Sequence, residues 1–162
     1  MPQPTRAELH YLEEFGLFWE QIGLPRMTGR ILAWLLICDP PEQTMTDLTE
    51  ALQASKSSIS TGTRTLIQFG FIERISLPGK RKDYYRLLPH LWSRVLGAKR
   101  NQFTDFLQLA ERGLALLPES NAQRRERLAE MYDLYAFMER EYPKLLQRWE
   151  AERDQRVLSP ER

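Results

Sequence analysis

Cysteine is almost absent from this chain: Cys38 stands alone among 162 residues. A single thiol excludes any disulfide within the chain, which fits a reducing cytosol. It lies inside the apolar run ILAWLLIC, so a buried structural thiol is expected; a redox switch would need exposure and a lowered pKa. Excess charge is missing too, with 23 Lys/Arg against 22 Asp/Glu, so composition alone does not point to a polyanionic partner. Long hydrophobic runs are lacking, and the stretch from Ile31 to Cys38 is far too short to cross a bilayer. The opening residues MPQPTRAELHYLEEF are acidic and carry no apolar leader segment. These absences predict a cytoplasmic protein without a membrane span.

Catalytic patterns are equally scarce. There is no glycine-rich phosphate loop, no cysteine pair at metal spacing and no HExxH. His10 and His90 each fall near a predicted helix start without a second ligand at helical spacing, and read as surface residues. Acid and base pairs such as those around Glu126, Arg127 and Glu130 read as solvated helix faces. The expectation is a protein that is not an enzyme and holds no metal or cofactor.

What is present is mostly helical periodicity. Thr5 followed by Glu8 is a capping box, and Leu12, Phe15, Trp19 and Ile22 then share one face before Gly23. Pro25 opens a second helix with Ile31, Trp34, Leu35 and Cys38 inward, and Asp39-Pro40-Pro41 stops it. Arg26 and Arg30 sit at its start, where cations do not complement the helix dipole. They read equally as phosphate contacts or as a solvated cationic edge.

The densest signal lies in residues 44–88. A short helix is predicted from about Thr46 to Gln53, capped by Thr46 or Asp47, with Asp47 and Glu50 as a capping box. A second follows from about Lys56 to Phe69, with Ile59, Leu66 and Phe69 inward and Gly70 as its stop. Its outer face, Ser57, Ser58, Ser60, Thr61, Arg64, Thr65 and Gln68, is small or polar and contains no acid. Ser and Thr are indifferent helix formers, so helix propensity did not select them. Short hydroxyls allow close approach and donate to phosphates or base edges, and Arg64 can bond a guanine edge or a phosphate. FIERISL and DYYRLL read as two strands around Pro78-Gly79 and the tip Lys80-Arg81-Lys82, with residues 42–45 able to add a short third strand. Residues 55–86 hold seven Lys/Arg against two acids, a local charge of +5 in a chain of net +1. Such a concentration is an electrostatic footprint for a polyanion.

ASKSSIST…LIQFGFIERISLPGKRKDYY resembles the winged helix-turn-helix of MarR-type transcription regulators, and the wing pattern is most similar to the GbsR-like branch. The resemblance covers about residues 15–88. It implies a mainly α fold with a small β-wing, divided into an N-terminal dimerisation helix (1–24), a DNA-binding domain (25–88) and a C-terminal helical dimerisation region (89–162). It implies a homodimer on double-stranded DNA with an inverted-repeat operator, favours repression and suggests a small-molecule effector of unknown pocket. Ser57, Ser58, Ser60, Thr61 and Arg64 would then meet the major groove. Lys80, Arg81 and Lys82 would reach the backbone or minor groove, with Arg81 at the wing tip, while Thr46 and Lys56 would hold phosphates. The alternative is a winged helix that serves protein contacts without DNA.

The remaining chain predicts two long helices, about His90–Leu117 and Ala122–Gln155, around a turn capped by Ser120 or Asn121. In the last one Leu128, Met131, Tyr135, Met138, Tyr142, Leu145 and Trp149 form a heptad seam that requires a partner helix. Pro143 is expected to kink or split it, and Gly97 to mark a bend or close packing in the helix before it. The surplus apolar faces argue for a dimer.

Overall fold

The structure is a computed structural model that describes residues 3–158, and the chain divides into two units between Leu91 and Trp92. The first unit contains α1 (Arg6–Gln21), α2 (Arg26–Ile37), β1 (Gln43–Thr44), α3 (Met45–Ala51), α4 (Lys56–Gln68), β2 (Ile72–Ser76) and β3 (Asp83–Leu87). α5 (Leu91–Ala115) and α6 (Ala122–Leu158) follow.

The capping box of α1 forms as its sequence dictates: Thr5 Oγ1 accepts the Glu8 amide at 3.2 Å, and the Glu8 carboxylate accepts the Thr5 amide at 2.6 Å. Leu12 and Trp19 are buried, but Phe15 is only half-buried and Ile22 is 56% exposed. Helix α1 ends at Gln21 and the chain turns at Gly23 (φ +84), which carries Ile22 off the inner face. Gly16 takes part in that face instead. A Cβ on Gly29 of α2 would stand 2.8 Å from Trp19 Cβ and 3.1 Å from Gly16 Cα, so α1 and α2 meet almost backbone to backbone.

Helix α2 is buried over most of its circumference, from Thr28 to Leu35 with Arg30 the half-buried exception. A single inward face was the expectation; packing against α1 on one side and α4 on the other explains the difference. Cys38 falls just past the helix and is half-buried, and burial pushes its thiol pKa up to about 11. A thiol so raised stays neutral at physiological pH and is a poor nucleophile. Trp34 Nε1 donates to Gln43 Oε1 at 3.1 Å, and Gln43 Nε2 donates to the Pro40 carbonyl at 2.6 Å, which ties the loop with the cis Asp39–Pro40 bond to β1.

Helix α3 starts earlier than its sequence suggests. Thr44, not Thr46 or Asp47, is the cap: its Oγ1 accepts the Asp47 amide at 3.2 Å and the Asp47 carboxylate accepts the Thr44 amide at 2.8 Å. Thr44 can do both jobs because it also ends β1. The three strands form an antiparallel sheet in the order β1-β3-β2, with Thr44 opposite Tyr84 and Ile75 opposite Tyr84 from the other side. Between β2 and β3 the Lys80 amide donates to the Leu77 carbonyl at 3.1 Å, and Gly79 takes φ +73, a turn that needs Pro-Gly at its centre. The fold is a winged helix-turn-helix.

Eight leucine and isoleucine side chains of this unit are at most 1% exposed: Leu12, Ile31, Leu32, Leu48, Leu52, Ile59, Leu66 and Ile72. At about 1.5–3 kcal/mol each, they form a core able to hold the unit together.

The second unit is different in kind. α5 and α6 form an antiparallel hairpin, with Phe106 stacked on Tyr135 at 4.6 Å, Phe103 edge-on to Tyr142 at 5.0 Å, and the Tyr142 hydroxyl donating to the Leu96 carbonyl at 3.0 Å. The heptad seam of α6 therefore finds a partner in α5. Arg125 closes the turn by donating to the Leu114 and Leu117 carbonyls at 3.0 and 2.8 Å, and Asn121 caps α6. The helix runs through Pro143 without splitting. Of the described hydrophobic side chains from Trp92 onward, Leu107 and Ala110 are buried, while Trp92, Phe106, Leu109, Leu116, Leu134, Phe137 and Leu145 are exposed. A Cβ on Gly97 would meet nothing within 4 Å, so that glycine marks no close packing inside the chain.

The two glycine environments separate packing from propensity. Gly29→Ala gains about 1 kcal/mol of helix propensity but must force α1 off α2, an overpacking that costs about 1–3 kcal/mol. The expected outcome is a lower urea midpoint for Gly29→Ala and an unchanged or higher one for Gly97→Ala.

Candidate nucleic-acid interface

Helix α4 presents its outer face because its inner face has no slack. Ile59, Gly62, Thr63 and Leu66 are buried, and a Cβ on Gly62 would overlap Ile31 Cδ1. Phe69, expected inward, is the C-cap and is 51% exposed, since the chain leaves the helix there through Gly70 at φ +71. Ser55 is the N-cap, accepting the Ser58 amide at 3.2 Å and lying 3.0 and 2.9 Å from the Ser57 and Ser58 hydroxyls. Lys56, Ser57, Thr61, Arg64 and Gln68 are exposed, and Ser58, Ser60 and Thr65 half-buried. Thr65 is turned back on its own helix, donating to the Thr61 carbonyl at 3.0 Å.

Five of the outer residues, Ser57, Ser58, Ser60, Thr61 and Arg64, divide between two hollows. One, of about 310 Å³, is lined by Ser57, Ser58 and Thr61 together with Pro25, Met27 and Thr28 at the start of α2. The other, of about 450 Å³, sets Ser60 and Arg64 beside Glu73 and Arg74 of β2 and Tyr85 of β3. Thr46 lines neither; it is exposed in the first turn of α3.

Salt bridges sort the seven cations of this region. Arg74 pairs with Asp83 at 3.4 Å, and Arg86 reaches Glu73 at 2.8 Å and Glu42 at 3.9 Å, so both serve the sheet. Lys56, Arg64, Lys80, Arg81 and Lys82 are exposed and have no carboxylate within ion-pair distance among the described residues. Lys56 stands at the N-terminus of α4, in a first turn without an acid, against the sign a helix dipole prefers. That placement favours an external anion over the helix itself.

Arg26 and Arg30 both pair with Glu13 of α1, Arg26 as an exposed residue and Arg30 as a part-buried one. Arg26 Nη2 lies 2.5 Å from Glu13 Oε2. Arg30 Nε lies 2.8 Å from Glu13 Oε1, an electrostatic contact without hydrogen-bond alignment, and its Nη2 donates to the Leu52 carbonyl at 2.9 Å. Arg30 thus links α1, α2 and the end of α3.

Comparison with known proteins shows the family. Residues 90–152 match the sequence profile of the MmpR5-like MarR family transcriptional regulators. Over 131 residues, 81% of this chain and 79% of the relative, the sequence is 42% identical to the HTH-type transcriptional regulator MmpR5 of Mycobacterium tuberculosis (strain ATCC 25618 / H37Rv). The chain belongs to the MarR family of helix-turn-helix transcriptional regulators. A crystal structure of a transcriptional regulator that is 39% identical superposes on this MarR-family chain with a TM-score of 0.77, covering 90% of it and 99% of the other. The HTH-type transcriptional repressor OpcR of Bacillus subtilis (strain 168) is 32% identical over 79 residues, 49% of this chain and 42% of its own.

For a DNA-binding MarR-family protein, α4 and the wing are the surface to examine, and the residues singled out from sequence fall on them apart from Thr46. Sequence reading singled out Arg26 and Arg30 at the start of α2; what it missed is that Pro25, Met27 and Thr28 there share a hollow with Ser57, Ser58 and Thr61 of α4. An uncapped helix beginning at Pro25 with no acid in its first turn was the available signal. No helix among the described residues is long and apolar enough to cross a membrane.

Arg30→Met leaves the Glu13 carboxylate and the Leu52 carbonyl without their partner. It is expected to lower unfolding free energy by about 1–3 kcal/mol in urea titration, while the salt dependence of DNA binding stays unchanged because no phosphate contact is lost.

Proposed function

We propose that this MarR-family protein is a cytoplasmic, sequence-specific regulator, and a repressor, that binds an inverted-repeat operator as a homodimer under control of a small-molecule effector. The observation that carries the reading is the set of exposed cations Lys56, Arg64, Lys80, Arg81 and Lys82, without a carboxylate partner among the described residues, flanking the acid-free hydroxyl face of α4. In this reading Ser57, Ser58, Ser60, Thr61 and Arg64 meet the major groove. The wing tip follows the backbone into the minor groove with Arg81 leading, and Lys56 and Thr46 take phosphates.

The dimer is supported by what α5 and α6 leave uncovered. A two-helix hairpin with Leu109, Leu116, Leu134 and Phe137 at 51–83% exposure buries too little to be content alone. Tyr11, Phe18 and Ile22 add a second apolar stripe on α1. A twofold dimer presents two recognition helices to successive major grooves about 34 Å apart, and an effector acts by changing that spacing. Repression is supported by the name of the relative OpcR. The wing motif GFIER…GKRKDYY supports a GbsR-like placement inside the family.

Selection of bound fragments from random duplex DNA by the purified protein, at about 150 mM salt, tests the whole reading. An enriched inverted repeat with half-sites one helical turn apart is expected; enrichment of nothing by ligand-free protein sinks it. On the selected site, Arg64→Ala is expected to cost about 1–3 kcal/mol and to relax one base position. Neutralising Lys80 and Lys82 is expected to flatten the log–log salt slope by about one unit per lost phosphate contact; an unchanged slope removes the wing from the interface.

A further inference from the structure

We infer that the wing tip is an acylation site, at which Lys80 and Lys82 take an acyl group from an acyl phosphate, and that the modification releases DNA. The release rests on the DNA-binding reading above; the chemistry rests on the tip itself.

Lysine is scarce in this chain, and its placement is selective. Of 23 basic residues only Lys56, Lys80, Lys82, Lys99 and Lys144 are lysines. Among the described residues, carboxylates hold seven arginines but a single lysine, Lys144, whose Nζ lies 3.1 Å from Glu141. Lys56, Lys99 and Lys144 stand in helices, whereas Lys80 and Lys82 stand in the turn between β2 and β3. Every residue from Pro78 to Asp83 is exposed. The acid next to the tip, Asp83, pairs with Arg74 at 3.4 Å. Lys80, Arg81 and Lys82 therefore meet solvent without a carboxylate partner among the described residues. Phosphate contact alone does not call for lysine there, because arginine grips a phosphate with a fixed fork of donors and stays charged. What lysine adds at an exposed turn is a primary amine that can form an amide.

An acyl phosphate suits this tip on two counts. It is an anion, and three successive cations raise the local concentration of anions around the amines. It is also small, and an exposed turn puts no wall in its way. The neutral ε-amine attacks the acyl carbon and the bond from that carbon to the phosphate oxygen breaks. Phosphate leaves with the electron pair, and the nitrogen gives a proton to water. Each amide so formed deletes one positive charge and the donors of an ammonium group. Arg81 keeps its charge throughout and continues to attract the donor. A duplex lying on the wing covers both amines, so DNA and the acyl donor compete for the same side chains.

The test exposes the full chain to acetyl phosphate for increasing times and maps the acetyl groups by peptide mass spectrometry. Binding is read by anisotropy on fluorescein-labelled duplexes, one carrying the selected site and one of mixed sequence. Lys80 and Lys82 are expected to be acetylated ahead of Lys56, Lys99 and Lys144, and bound duplex is expected to protect them. At that stage DNA affinity is expected to be about tenfold lower, the size of a lost charge-assisted hydrogen bond. The log–log salt slope is expected to flatten by about one unit for each acetylated tip lysine. The double variant Lys80→Arg, Lys82→Arg keeps both charges and removes both amines, so exposure is expected to leave its affinity at its own untreated value. Acetyl groups spread evenly over the five lysines overturn the inference. An equal loss of affinity in the double variant does so too, as does undiminished affinity in wild-type protein acetylated at the tip. Untreated wild-type protein that binds neither duplex sinks the DNA-binding reading and with it the release, while the acetyl map still decides the site.

Discussion

The position of the recognition helix depends on how closely α2 can be approached from both sides. On one side Gly29 lets Trp19 and the backbone of Gly16 come within contact of α2; on the other, Gly62 of α4 leaves space that Ile31 Cδ1 fills. Interiors packed to this density transmit displacement instead of absorbing it. One added methyl on either side would therefore move α4 relative to α1 rather than compress the core. Arg30 works in the same place by electrostatics, holding Glu13 of α1 and the last turn of α3 to α2. Steric closeness and one part-buried guanidinium together set the angle at which α4 is offered outward.

Much of this unit could be read directly from the residues. Capping boxes, the Pro-Gly turn and the alternation in FIERISL are local signals, and each has its expected structural partner, apart from the cap of α3. That cap moved to Thr44 because the same residue closes a strand pair with Tyr84, a long-range contact that no local pattern contains. Ile22 and Phe69 were misplaced for a related reason. Both sit at the last turn of a helix, where the chain bends away through a positive-φ glycine and helical spacing stops predicting direction. Gly16 and Gly29 were invisible as packing residues because a glycine carries no hydrophobic signature. The α6 seam was legible as a demand for a partner, yet its spacing could not say that α5 would supply it. Of the candidate site, residue types and their shared helix face were readable, while the division of α4 into two hollows was not, because it is made by α2 and β2.

The family profile matches residues 90–152, the two long helices, rather than the winged helix. Physical constraints explain how such a signal can lie there. A winged helix is restrained by a shared core and by duplex geometry, which many sequences satisfy. A hairpin with few buried side chains must specify its partner surface residue by residue, as Phe103, Phe106, Tyr135 and Tyr142 do here through ring geometry.

Near-neutral overall charge is compatible with binding a polyanion because charges act locally in salt. At physiological ionic strength the screening length is about 8 Å, so an exposed acid farther away than that barely reaches the wing or α4. What matters is which cations remain uncommitted nearby. Here the sheet consumes Arg74 and Arg86 in pairs with Asp83 and Glu73, and α1 consumes Arg26 and Arg30 through Glu13. The cations left over among the described residues, Lys56, Arg64 and the three at the wing tip, are all exposed. An ion pair at the surface contributes little stability, about 0–1 kcal/mol, so such pairs matter here chiefly by orientation. They tie Arg26, Arg30, Arg74 and Arg86 to carboxylates, so that the positive charge not matched by a nearby acid lies on α4 and the wing tip.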